Sequence, residues 1–134
     1  MKQLRSVEEI PSNVNVIVRM DTDLPFEATA ILDNSRLMKT IPTLRFLMEK
    51  NCKIIIIGHR GRPSGIDKNL SLKQVYLELM TLLEVDGQNT IESIFVDDIK
   101  DDNKIANSLI DNQIVFIENL RFWNTNPKAF KGCL

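Results

Sequence analysis

Lys53-Ile54-Ile55-Ile56-Ile57-Gly58-His59-Arg60-Gly61-Arg62-Pro63 joins an apolar run to one imidazole and two guanidiniums. A guanidinium fork binds carboxylate or phosphate through paired hydrogen bonds, and an imidazole adds a donor whose charge changes near neutral pH. The pattern recurs twice: Arg19, Asp21 and Asp23 follow the apolar stretch 14–18, and Arg121 follows the apolar stretch 114–117. Arg36 lies at the start of a helical period and can reach the same place. Four arginines and a histidine gathered around one cleft suit a small molecule carrying a phosphate and a second acid group. Asp21 and Asp23, set among arginines, read as groups that orient such a ligand and not as general acids.

Each arginine taken alone is an ordinary surface residue, solvated or weakly paired. Their arrival from three strand ends turns the reading towards a site. His59 alone could be a packed loop residue, and no metal is expected because the chain has only 1 histidine. Gly61 and Gly65 form neither a Walker loop nor a GxGxxG fingerprint; Gly58 and Gly61 are read as permitting the turn. No Ser-His-Asp or Cys-His constellation is readable. Phe122 and Trp123 beside Arg121 are read as packing for the loop, since nucleic-acid binding calls for a basic stripe as well. Asp97, Asp98, Asp101 and Asp102 read as a solvated turn and helix start.

The net charge of −1 excludes a global attraction to nucleic acid or anionic membrane, so any anion site must come from local clustering of the 17 lysines and arginines. Length (134 residues) and composition (43% hydrophobic, 26% charged) fit one soluble domain. The 2 cysteines, Cys52 and Cys133, lack metal-ligand spacing and fit a reduced, cytoplasmic setting. The first residues lack the apolar core of a signal peptide, and no apolar run is long enough to span a membrane.

The elements that must position these side chains follow from periodicity. Strands are expected over residues 14–21, 53–57, 92–98 and 113–119. Helices are expected over 35–50, 71–84 and 101–110, with a truncated one over 127–134. Asp33 or Ser35 can cap the first helix, and Pro42 inside it predicts a kink or a later start. Ser71-Leu72-Lys73-Gln74 is a capping-box signature, with Leu72, Val75, Leu79 and Leu82 facing the core. Ile105, Leu109 and Ile110 form the apolar side of the third helix. The alternation predicts an α/β fold: an open three-layer parallel sheet with flanking helices, Rossmann-like, its buried strands covered on both faces. Ligands of such sheets sit outside the carboxyl ends of the strands, where the charged residues collect.

Four segments resemble the amino-terminal domain of phosphoglycerate kinases, in order and spacing, across nearly the whole chain. Arg19-Met20-Asp21-Thr22-Asp23-Leu24-Pro25 is similar to the family's RVDFNVP, Asp33-Asn34-Ser35-Arg36-Leu37 to DDTRI, Gly58-His59-Arg60-Gly61-Arg62-Pro63 to SHLGRP, and Glu118-Asn119-Leu120-Arg121-Phe122 to ENLRF. The resemblance implies that 3-phosphoglycerate or 1,3-bisphosphoglycerate is bound here. Arg19, His59, Arg62 and Arg121 would take the distal phosphate, and Asp21 and Asp23 would orient the glycerate end. Arg36 would correspond to the catalytic arginine that stabilises the phosphoryl group in flight, in a reaction governed by positioning and electrostatics.

Three residues depart from the family pattern: Asp23 stands for an asparagine, Arg60 for an apolar residue and Thr22 for a phenylalanine. Asp23 should weaken anion binding unless Arg19 or Arg60 compensates, and Thr22 should leave local packing short of a large side chain. The resemblance further implies a second domain holding Mg-ADP or Mg-ATP, which is not in this sequence. The chain is therefore expected to be a partial phosphoglycerate-binding domain, its sheet incomplete at the carboxyl-terminal end, inactive alone and dependent on a complementary nucleotide domain. Two alternatives stand beside this: a non-catalytic anion-binding or interaction module on the same scaffold, and a generic Rossmann-like or flavodoxin-like nucleotide binder.

Overall fold

β-Branched runs favour extended backbone, and four of them form the strands of one parallel sheet. The computed structural model describes residues 6–85, 90–100 and 102–123. In chain order the elements are β1 (Asn15–Arg19), β2 (Phe26–Glu27), β3 (Ala30–Ile31), α1 (Ser35–Glu49), β4 (Lys53–Ile57), α2 (Lys73–Val85), β5 (Ser93–Val96), α3 (Asp102–Asp111) and β6 (Ile114–Ile117). The main sheet runs in the order β1-β4-β6-β5, and every pairing in it is parallel. Arg19 pairs with Ile57 and Val96 with Ile117, so all four strands empty on the same edge.

Helices α1 and α2 pack on one sheet face, where Ile54, Ile56, Ile114 and Phe116 meet Leu37, Leu44, Leu47, Leu72, Val75 and Leu79 in the main core. A second cluster on the opposite face joins Val96, Val115 and Ile117 to Ile105 and Leu109 of α3. The expected open three-layer α/β arrangement is therefore present, but its layers are unequal. Ile54 and Ile56 are fully buried, whereas Ile55 and Ile57 are half-buried and Ile17 on β1 is 65% exposed. The isoleucine run is thus covered completely on one face only.

Several local expectations are corrected. α1 starts at Ser35 and runs through Pro42, so the later start does not occur. Proline in a helix interior costs about 3 kcal/mol. Burial of Leu37, Ile41, Leu44 and Leu47 offsets this, at about 1.5–3 kcal/mol for each fully buried side chain. Asp33 accepts from the Ser35 N–H at 2.8 Å, although Asn34 is the capping position. The core side of α2 is Val75, Leu79 and Leu83, joined by Leu72 just before the helix, with Leu82 only half-buried. Ile110 is exposed and contributes nothing to the α3 contact. The stretch between β1 and α1 holds the small antiparallel hairpin β2–β3. Cys52 is buried and free. Cys133 and the expected helix over 127–134 lie outside the described residues, as does Asp101. Asp97 and Asp98 bind Lys104 and the Lys100 N–H, in keeping with a solvated turn.

Thr22, expected to leave a packing deficit, is fully buried, and its hydroxyl donates to the His59 carbonyl at 2.8 Å. This joins the exit of β1 to the exit of β4, and it works only because residue 58 is glycine. A Cβ at Gly58 would lie 2.2 Å from the Thr22 hydroxyl oxygen. Gly58→Ala should therefore destabilise the fold by about 1–3 kcal/mol, the usual cost of overpacking. In a denaturant double-mutant cycle, much of that loss should disappear in a Thr22→Ala background; equal losses in both backgrounds would rule the close approach out as the cause.

Candidate functional site

Where β4 ends, residues 58–62 form a loop whose backbone is held from several sides. The Gly61 N–H donates to Asp23 Oδ1 at 3.1 Å, and the Gly61 carbonyl accepts from Arg121 Nη1 at 2.8 Å. Gly61 adopts φ = 62°, a left-handed conformation that glycine takes at no steric cost. The Arg60 carbonyl accepts from Asn119 Nδ2 at 2.7 Å. Thus the segments after β1 and β6 are each bonded directly to the loop after β4.

His59 stands at the centre of the charge cluster. Burial lowers its pKa below the usual imidazole value, and Arg121 and Arg19 push in the same direction, against Asp23 and Asp21. The ring is therefore held towards its neutral form in an electropositive place, which an anionic ligand would relieve. Among the described residues, neither the Arg19 nor the Arg62 guanidinium makes a side-chain hydrogen bond or ion pair. Arg121 is different, since one arm is already bonded to the loop.

Arg36 reaches the edge from the first turn of α1. Its Nη1 lies 3.3 Å from the Asp21 carboxylate and donates to the Asp23 carbonyl at 3.0 Å. Both partners of the ion pair are more than half exposed, at 52% and 58%, so the pair is weak and easily exchanged for a ligand. Asp23 itself is engaged as a latch on the Gly61 N–H. Arg60, expected as a possible compensator for Asp23, donates to the Ser71 carbonyl and stacks 3.5 Å from the Phe26 ring centroid. Burial draws the Arg60 pKa down, with Asp23, Asp67 and Glu118 opposing the shift.

Glu118 and Asn119, which are not among the site residues expected from sequence, hold the site together. Glu118 accepts from the Ser71 hydroxyl and from the N–H groups of Leu72 and Asn119. The Asn119 amide donates to the carbonyls of Arg60 and Leu70 and accepts from the Arg121 N–H. Their signal in the sequence was two polar residues placed directly after a fully apolar strand, where burial demands partners. Phe122 is buried with Trp123 against it, so this pair packs the loop as expected. No group of acidic, histidine or cysteine side chains able to hold a metal occurs among the described residues. Among those residues, no helix is long and apolar enough to cross a membrane.

The family model described as phosphoglycerate kinase matches residues 8–131. The chain belongs to the phosphoglycerate kinase family. It is 38% identical over 124 residues to the phosphoglycerate kinase of Orientia tsutsugamushi (strain Boryong), a match covering 91% of this chain and 30% of that protein. It is 34% identical over 114 residues to the cytosolic phosphoglycerate kinase of Triticum aestivum, covering 84% and 27%. The solved phosphoglycerate kinase of Pyrococcus horikoshii OT3 shares the fold with a TM-score of 0.73 at 23% identity, over 91% of this chain and 29% of that one. The chain thus spans less than a third of the length of the phosphoglycerate kinases it matches.

With a single histidine, the chain allows a direct test of the electrostatics. The His59 resonance followed by NMR should titrate below pH 6.5. A bound phosphate favours the imidazolium, so saturating inorganic phosphate should raise the midpoint, and by linkage phosphate affinity should rise as pH falls between the two midpoints. A midpoint above 6.5 in the free chain, or none of the upward movement, would remove His59 from the site.

Proposed function

We propose that this chain is the phosphoglycerate-binding half of a phosphoglycerate kinase. It holds 3-phosphoglycerate or 1,3-bisphosphoglycerate at the strand ends for reversible phosphoryl transfer with ADP and ATP in glycolysis, in the cytoplasm. What supports this reading is one juxtaposition in a chain of this family: the unpartnered guanidinium of Arg19 and the half-engaged Arg121 around a histidine held towards neutrality, with Arg62 further along the same loop. Arg19, His59, Arg62 and Arg121 take the distal phosphate. Asp21 and Asp23 lie towards the glycerate end, and Arg36 exchanges its weak pair with Asp21 for the phosphoryl group being transferred. Mg-ADP or Mg-ATP is bound by the part of the kinase that this chain does not match, and transfer requires that part to close over the edge and exclude water.

Asp23 favours a second reading, a non-catalytic anion-binding module, because it sets a carboxylate where the family pattern has a neutral amide. Its bond to the Gly61 N–H is one that an asparagine oxygen can also accept. Asp23→Asn should therefore leave the fold intact and tighten 3-phosphoglycerate by about tenfold, ~1.4 kcal/mol, through loss of one like charge. Unchanged affinity in that variant would mean that the carboxylate does not face the ligand.

The decisive experiment is calorimetric titration of the 134-residue chain with 3-phosphoglycerate at low salt, beside Arg62→Ala. Saturable binding that weakens by about tenfold or more in the variant is expected, as for loss of a charge-assisted bidentate contact. A folded chain with no saturable binding, or a variant that binds equally well, would overturn the assignment.

A further inference from the structure

We propose that the cavity between the β2–β3 hairpin and the start of α2 is a second anion site, for a small phosphorylated molecule, separate from the strand-end edge. The cavity has a volume of about 650 Å³. That lies within the range of about 300–1,000 Å³ usual for small-molecule pockets. Its cations come from three places: Arg60 from the loop after β4, Lys68 from the 3₁₀ turn Lys68–Leu70, and Lys73 from the first turn of α2. Thr29, Asn69 and Gln74 add hydrogen-bonding groups, and no carboxylate lines the cavity.

The cations differ in how firmly they are held, and in a useful way. Arg60 is fixed by its bond to the Ser71 carbonyl and by the Phe26 ring under its plane, which leaves further N–H groups of a preorganised fork. Lys73 extends over the Phe95 ring with its Nζ 5.2 Å from the centroid, so its ammonium is not consumed by an ion pair. Lys68 is exposed and makes no side-chain hydrogen bond or ion pair among the described residues. The carboxylates that act on Arg60 are each engaged elsewhere. Asp67 caps the Asn69 N–H, Glu118 is buried behind Ser71, and Asp23 holds the Gly61 N–H on the far side of the loop.

The helix start supplies little here. The Leu72 N–H already donates to Glu118 and the Lys73 N–H to the Ser71 hydroxyl, so the side chains must carry the anion. The division between the two sites is made at a single residue. The Arg60 carbonyl accepts from Asn119, while its side chain reaches the Ser71 carbonyl and lines the cavity.

Inorganic pyrophosphate titrated into the ¹⁵N-labelled full chain at low ionic strength provides the test, read by amide shifts. Saturable shifts are expected at Thr29, Asn69 and Gln74, and they should survive Arg62→Ala, which acts only on the strand-end edge. The Lys68→Ala/Lys73→Ala double variant changes two exposed side chains and so spares the fold. It should weaken the binding at these amides about tenfold or more while leaving the shifts at residues 58–62 in place. Saturable shifts confined to residues 58–62 and 119–121, shifts that never saturate, or affinity within about twofold in the double variant would each overturn the proposal.

Discussion

A carboxylate and an amide with almost no exposure sit side by side where β6 ends, and their need for partners governs the whole strand-end edge. A buried carboxylate left without donors costs several kcal/mol, and a buried amide somewhat less. Glu118 is satisfied only if Ser71 and Leu72 approach it, which fixes the start of α2. Asn119 is satisfied only if the carbonyls of Arg60 and Leu70 converge on it, which fixes the loop after β4. The same amide receives the Arg121 N–H, and Arg121 in turn grips the Gly61 carbonyl. Three segments distant in sequence therefore cannot move independently. The geometry around His59 follows from that network more than from any contact His59 makes itself.

Electrostatics then act on this fixed frame. A chain with net charge −1 has no long-range pull on anions, so its affinity for them depends on local arrangement. The edge divides its positive groups by role. Arg121 is partly structural, Arg36 is lightly restrained by Asp21, and Arg19 and Arg62 are left to solvent. Asp23 participates with both signs at once. Its charge opposes a bound anion, but its oxygen holds Gly61 in the left-handed conformation the loop requires. A neutral amide can keep the second effect without the first, which is why the substitution separates them.

Sequence alone made the strands, their parallel arrangement and the common edge legible, because runs such as residues 53–57 and 114–117 carry their burial in their composition. It also brought Arg19, His59 and Arg121 to one place, since these follow the strands directly. What stayed hidden was decided by tertiary contact. The β2–β3 hairpin has two residues per strand, too few for an alternation to register, and it is held by the stacking of Arg60 on Phe26. Leu83 displaced Leu82 from the core because α2 is oriented by its neighbours, not by its periodicity alone. Thr22 lacks the volume of a large side chain, but its hydroxyl serves as a donor in a space that Gly58 leaves open.

The exposure of Ile17 and the freedom of Arg19 have a common origin. On β1 the residues Asn15, Ile17 and Arg19 alternate onto the face that α3 does not reach, since α3 packs on β5 and β6. An anion on Arg19 is therefore held in high dielectric, where one ion pair contributes at most about 1 kcal/mol and is screened by salt. Any polypeptide layer placed over this face would act twice. Full burial of Ile17 would stabilise the fold by about 1.5–3 kcal/mol. The same layer would exclude water from beside Arg19 and strengthen its attraction for a phosphate. Cover for the sheet and affinity at its edge are thus coupled through a single strand, five residues long, with its apolar and its charged side chain on the same side.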